Sequence, residues 1–95
     1  MLDFVKDSDV VLYFKKEGCG PCKKMAPIVE ELCSENNILL VYEQFEIDKQ
    51  MFKEFKVQGL PTVIKLKDGK ETGRLVGLQP VNKLTELINS NYDYT

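Results

Sequence analysis

The chain has 95 residues, 43% hydrophobic and 29% charged, with a formal net charge of −2. That is enough for one hydrophobic core and too little for two, so a single domain over residues 1–95 is expected. The slight acidity leaves no footprint for nucleic acid, no run approaches the ~18 apolar residues of a membrane span, and the balance is not that of a disordered chain.

The opening stretch MLDFVKDSDVV places acids ahead of its apolar run, unlike the basic start of an export signal. A cytoplasmic, reducing setting is therefore expected, although an exported chain already trimmed would read the same way. A short turn or helix is expected before the first strand. Val10-Val11-Leu12-Tyr13-Phe14, β-branched and aromatic, reads as that strand, buried on both faces. Beyond it, Cys22, Met25, Ala26, Val29, Leu32 and Cys33 recur at helical spacing on one stripe, with lysines and glutamates opposite. Pro27 falls inside this helix and is expected to kink it, and Asn36-Asn37 to close it.

Ile38 to Ile47 reads as a second strand, with Leu39, Leu40 and Val41 its buried portion. Asp48 is placed to cap a short helix through Phe55 that buries Met51, Phe52 and Phe55. Gly59-Leu60-Pro61 breaks the chain before a third strand from Thr62 to Leu66. Asp68-Gly69 is a hairpin signal leading to a fourth strand around Arg74 to Val76, which Gly77 ends. Pro80 starts a last helix with Val81, Leu84, Leu87 and Ile88 inward, and the tail SNYDYT is expected to fray. The order β-α-β-α-β-β-α predicts an α/β fold. Its centre is a four-stranded mixed sheet with helices on both faces. Open α/β sheets place their chemistry at the carboxyl ends of strands, and Cys19 and Cys22 fall at such an end.

Three cysteines and no histidine exclude Cys-His hydrolases and Cys/His zinc fingers, and the odd count argues against a disulfide framework. Pro21 suits the first helical position, which puts Cys19 at or beside the N-cap and Cys22 in the first turn. A thiolate at Cys19 would meet unpaired backbone N–H groups and the positive end of the helix dipole, and both favour the charged form. Cys22, at the head of the apolar stripe, is expected to be covered. One exposed acidic thiol beside a covered one suits thiol–disulfide exchange, with Cys19 attacking and Cys22 resolving. Two other readings stay open, an inert structural pair and a metal bridged between two chains. A tetrahedral zinc wants four ligands, so within one chain no metal is expected. Cys33 lies 11 residues past Cys22 on the same helix. That is roughly 16 Å along the axis, beyond the ~7 Å Cα reach of a disulfide, so Cys33 reads as a small buried hydrophobe.

With these motifs in place the chain resembles the thioredoxin family over about residues 10 to 90. The likeness rests on CGPC at Cys19 to Cys22, the helix proline in KKMAP, Ile47-Asp48, GLPT at Gly59 to Thr62, the DG turn and Gly77. It implies a thioredoxin fold and a protein-disulfide reductase with a redox-active Cys19–Cys22 disulfide and Gly20-Pro21 as the active-site turn. It further implies a cis bond at Pro61, and a substrate groove bordered by Gly18, Leu60, Pro61 and Gly77. No bound cofactor is implied. Electrons come from NADPH indirectly, through a thioredoxin reductase-like donor. The implied targets are disulfide-containing proteins such as ribonucleotide reductase, a peroxiredoxin or methionine sulfoxide reductase, and the chain is expected to be a monomer.

The chain departs from the family pattern at several points. Gly18 stands where most members have tryptophan, Tyr13 where they bury an aspartate, and Gln44 where that aspartate has a lysine neighbour. The segment before residue 9 is also too short for the family's first strand. FKKEGC has a glutaredoxin flavour, because Lys16 sits where glutaredoxins hold the carboxylate of glutathione, against a plainer reading of Lys15, Lys16, Lys23 and Lys24 as a solvated rim. A glutathione-coupled reductase and a redox-silent binding module using the Pro61 groove are the alternatives.

Overall fold

A computed structural model describes residues 9–90. The expectations for the segment before Asp9 and for the tail beyond Ser90 lie outside the described residues. Strand β1 (Asp9–Lys15) has β2 (Leu39–Gln44) parallel on one side and β3 (Thr62–Lys67) antiparallel on the other. Strand β4 (Lys70–Val76) closes the order β2-β1-β3-β4, so β1 and β3 are central. A central strand covered on both faces needs an unbroken apolar run, which is what Val10 to Phe14 supplies. Its two faces serve two cores. Val11 and Tyr13 pack with Met25, Val29, Cys33, Leu84, Leu87 and Ile88. Val10, Leu12 and Phe14 pack with Phe52, Ile64 and Leu66.

Helix α1 (Gly20–Glu35) and helix α3 (Val81–Ile88) cover the first face, and α2 (Lys49–Glu54) covers the second. Helix α1 continues through Pro27 as one element and ends in a Schellman turn. Asn37 adopts φ 55° there, and the Ile38 N–H donates to the Cys33 carbonyl at 2.9 Å. Asp68 and Gly69, at φ 53° and 81°, make the two-residue turn their sequence predicts.

Four expectations need correction. Leu39 is exposed, and the buried residue of β2 is Glu43, because among the described strands β2 lies at the edge and Glu43 stands opposite Phe14 in the central strand. Strand β4 begins at Lys70 rather than near Arg74, since the turn starts the ladder at once and an edge strand accepts the polar Lys-Glu-Thr. Pro80 is the N-cap of α3 and not its first residue. Val81 is exposed, because the apolar stripe of α3 runs off the end of its layer beside the exposed Leu78.

Lys65 carries no sequence signal beyond its place in the third strand. It is fully buried, and its Nζ donates to the carbonyls of Ile88 and Ser90 at 2.6 and 2.7 Å. Asp9 lies 3.5 Å away. The lysine therefore caps the C-terminus of α3 from inside, where helix carbonyls lack partners and the dipole is negative.

Candidate active site

The connection from β1 to α1 builds the site. Gly18 takes φ 78°, a left-handed conformation that glycine adopts without a Cβ penalty, and turns the chain into the helix. Cys19 is the N-cap in extended conformation, Gly20 the first helical residue and Pro21 the second, one place later than its motif predicts. The Sγ of Cys19 accepts the Cys22 N–H at 3.2 Å, the position a thiolate would occupy to use the orphan donors of the first turn. The two sulfurs are joined in a disulfide with Cα atoms 5.3 Å apart. Cys19 is only 8% exposed and Cys22 2%, so the outer sulfur is far more covered in the oxidised pair than an exposed N-cap predicts.

Cys33 is free, buried, and outside the pair. Burial pushes its thiol up to about 11, with the nearby Lys65 charge acting the other way. It is a poor nucleophile near neutral pH. Among the described residues no three His, Cys, Asp or Glu side chains cluster as a metal site would require.

The Leu60–Pro61 bond is cis, and the Pro61 carbonyl accepts the Gly77 N–H at 2.7 Å. Gly77 has φ 83°, and a Cβ there would meet no atom of this chain within 4 Å. Its glycine is thus favoured by the left-handed backbone and not by crowding from within. Val76 and Leu78 flank it as exposed apolar side chains, and a hollow of about 200 Å³ beside Leu60 is lined by Phe45, Phe52 and Val57 with Lys16 at its rim. Two apolar surfaces therefore border the Leu60–Pro61 segment.

A second hollow, about 430 Å³, opens on the Cys22 side and is lined by Lys15, Lys16, Gly18, Lys23, Glu30, Tyr42 and Gln44 among others. The buried Tyr13 hydroxyl donates to the Cys22 carbonyl at 2.6 Å. The Tyr13 ring meets Tyr42 edge-on at 5.4 Å, and the Tyr42 hydroxyl donates to the Glu30 carboxylate. Lys15 Nζ sits 4.6 Å over the Tyr42 ring, so one of the expected rim lysines is held by an aromatic face, while Lys16, Lys23 and Lys24 are exposed. Burial, and then the Glu30 charge, push Tyr13 up to about 12. Tyr42 is raised by burial and by its bond to Glu30. Sequence reasoning named Tyr13 and Gln44 but missed Tyr42 and Glu30. The period of two along β2, which puts Tyr42 and Gln44 on the Tyr13 face, was the signal that could have found the first.

Comparisons with known proteins agree on one family. The Thioredoxin family model matches residues 3–90. A thioredoxin of Chlamydia caviae is 35% identical over 89 residues, covering 93% of this chain and 87% of that protein. One of Bacillus subtilis is 36% identical over 75 residues, covering 77% and 72%. Among solved structures, a mutant thioredoxin from Halobacterium salinarum superimposes with a TM-score of 0.84 at 28% identity, covering 99% of this chain and 85% of that one.

Proposed function

The chain belongs to the thioredoxin family and is a thiol–disulfide oxidoreductase; on that premise we propose that it reduces protein disulfides through Cys19 and Cys22. The observation that carries this reading is the Cys19–Cys22 disulfide at the N-cap of α1. In the reduced protein the Cys19 thiolate attacks one sulfur of the substrate disulfide, and the other substrate sulfur leaves as a thiolate. Cys22 then loses its proton and attacks the Cys19 sulfur. The mixed disulfide breaks, the second substrate thiolate departs, and the Cys19–Cys22 bond forms. Two electrons have passed from the dithiol to the substrate. Gly20 and Pro21 hold the turn that keeps the two sulfurs in reach.

An extended substrate segment would pair with the backbone at Leu60, with Pro61 beneath it and Gly18 and Gly77 leaving room on either side. Val76 and Leu78 supply apolar contact there in place of the missing aromatic ring at Gly18. Electrons would be restored by a thioredoxin reductase drawing on NADPH, with ribonucleotide reductase, a peroxiredoxin or methionine sulfoxide reductase among the targets. We read the chain as one domain over residues 1–95, acting as a cytoplasmic monomer. No helix among the described residues is long and apolar enough to cross a membrane.

The test is reductant choice. Reduction of insulin disulfides should proceed with NADPH and a thioredoxin reductase, and should be lost in Cys19→Ser. Turnover with glutathione alone would put the glutathione-coupled reading in its place. A Cys19–Cys22 pair that does not cycle would leave a binding module.

A further inference from the structure

Resolution requires Cys22 to lose a proton, yet this residue is only 2% exposed in the oxidised pair, and burial opposes ionisation. Among the described residues no carboxylate hydrogen-bonds to Cys22. The Tyr13 hydroxyl is spent on the Cys22 carbonyl, and at about 12 it stays protonated near neutrality. Tyr42 is likewise a donor, and Gln44 does not titrate. Among the described residues, the other titratable groups lining the hollow beside Cys22 are Lys15, Lys16 and Lys23, which are cations, and Glu17 and Glu30.

We propose that Glu30 is the proton acceptor for Cys22, taking the proton through water in this hollow while Tyr42 positions its carboxylate. The proposal rests on the resolving role proposed for Cys22. Glu30 lies eight residues along α1 from Cys22, about 12 Å of axial rise, so the transfer cannot be direct. A hollow of about 430 Å³ holds several waters at roughly 30 Å³ each. The carboxylate is tied back to the reacting cysteine by contacts in series. Glu30 accepts from Tyr42, Tyr42 packs edge-on against Tyr13, and Tyr13 donates to the carbonyl of Cys22 itself. Glu17 stands outside that series, on the loop ahead of the pair, where its backbone N–H donates to Glu46. The proton passes from Cys22 Sγ to water and from water to Glu30. The Cys22 thiolate then forms the S–S bond to Cys19, and the electron pair of the broken mixed disulfide leaves on the substrate sulfur.

The experiment follows the reaction of reduced protein with 5,5′-dithiobis(2-nitrobenzoate) by stopped flow. The first coloured thiolate reports attack by Cys19 and the second reports resolution by Cys22. Glu30→Gln keeps an oxygen for Tyr42 to donate to, so the site should stay assembled. It should slow the second release about tenfold near pH 7, an effect below the usual range for a directly placed general base. It should also move the pH profile of that step upward and leave the first release unchanged. Glu30→Asp should recover part of the rate, and Glu31→Gln, next door but outside the hollow, should alter neither step. An unchanged second release and pH profile in Glu30→Gln would overturn the proposal while leaving the dithiol reading intact. So would a slowing that follows Glu17→Gln instead. A second release that survives in Cys22→Ser would remove the dithiol reading, and this proposal with it.

Discussion

Lys65→Met would test what a buried ammonium does for this fold. Methionine matches lysine in length and lack of branching, so the substitution removes donors and charge with little loss of volume. The carbonyls of Ile88 and Ser90 lose charged hydrogen bonds of 2.6 and 2.7 Å, and Asp9 loses Lys65 as a partner while retaining Lys67 at 3.3 Å. Each charged hydrogen bond contributes about 1.5–3 kcal/mol, and removing one partner of a buried ion pair costs about 3–5 kcal/mol. Two features pull the net value down. Asp9 and Ser90 are partly exposed and can turn to water, and the variant no longer has to bury a charge. A loss of about 2–3 kcal/mol is expected. At about 4–8 °C per kcal/mol for a domain of this size, Tm should fall by roughly 10–20 °C. Thermal unfolding followed by circular dichroism measures it, and hydrogen exchange should locate the loosening in the last turn of α3. Lys65→Ala should be worse, since it adds a cavity. A Lys65→Met variant as stable as the parent would refute the reasoning, because desolvating the ammonium would then cost as much as its three partners return.

Brief iodoacetamide treatment of the reduced protein at neutral pH should label Cys19 first and Cys33 last, read by mass mapping, and Cys33→Ala should cost about 1 kcal/mol or more without changing turnover. Tyr13→Asp should speed decay of the mixed disulfide by placing a carboxylate under Cys22, while lost ring packing lowers stability by about 3 kcal/mol or more; a folded variant that resolves no faster would argue against a shortage of base at that position. Glu43 has its carboxyl raised above 4.5, first by burial and then by Asp48. A raised folded-state pKa means stability present at low pH and lost as pH climbs through it. Glu43→Gln should therefore be more stable than the parent at pH 7, with the gain vanishing toward pH 4, as denaturant titrations at the two values would show.

How much was readable in advance depended on the range of the interactions involved. The Cys-Gly-Pro-Cys turn, the Asn36-Asn37 helix stop and the Asp68-Gly69 hairpin are decided within three or four residues, by which backbone conformations those residues tolerate and which orphan helix groups they satisfy. They were legible for that reason. The two-faced burial of β1 was legible too, because a central strand must be apolar on both sides. Asp48 shows the limit of such reasoning. It sits at the N-cap of α2 as its identity predicts, yet makes no side-chain cap bond, and its charge instead helps to raise the Glu43 carboxyl.

Composition and local pattern by themselves determined that this is a small α/β domain with a dithiol at a helix start, since both follow from propensity, period and spacing. Only the tertiary structure decided which polar groups are buried and what they do there. Lys65 reaches carbonyls 23 and 25 residues away, and the buried Tyr13 hydroxyl reaches a carbonyl 9 residues on, in another element. A polar side chain is stable in a core only when partners arrive from elsewhere in the fold to replace water, and no local pattern records their arrival.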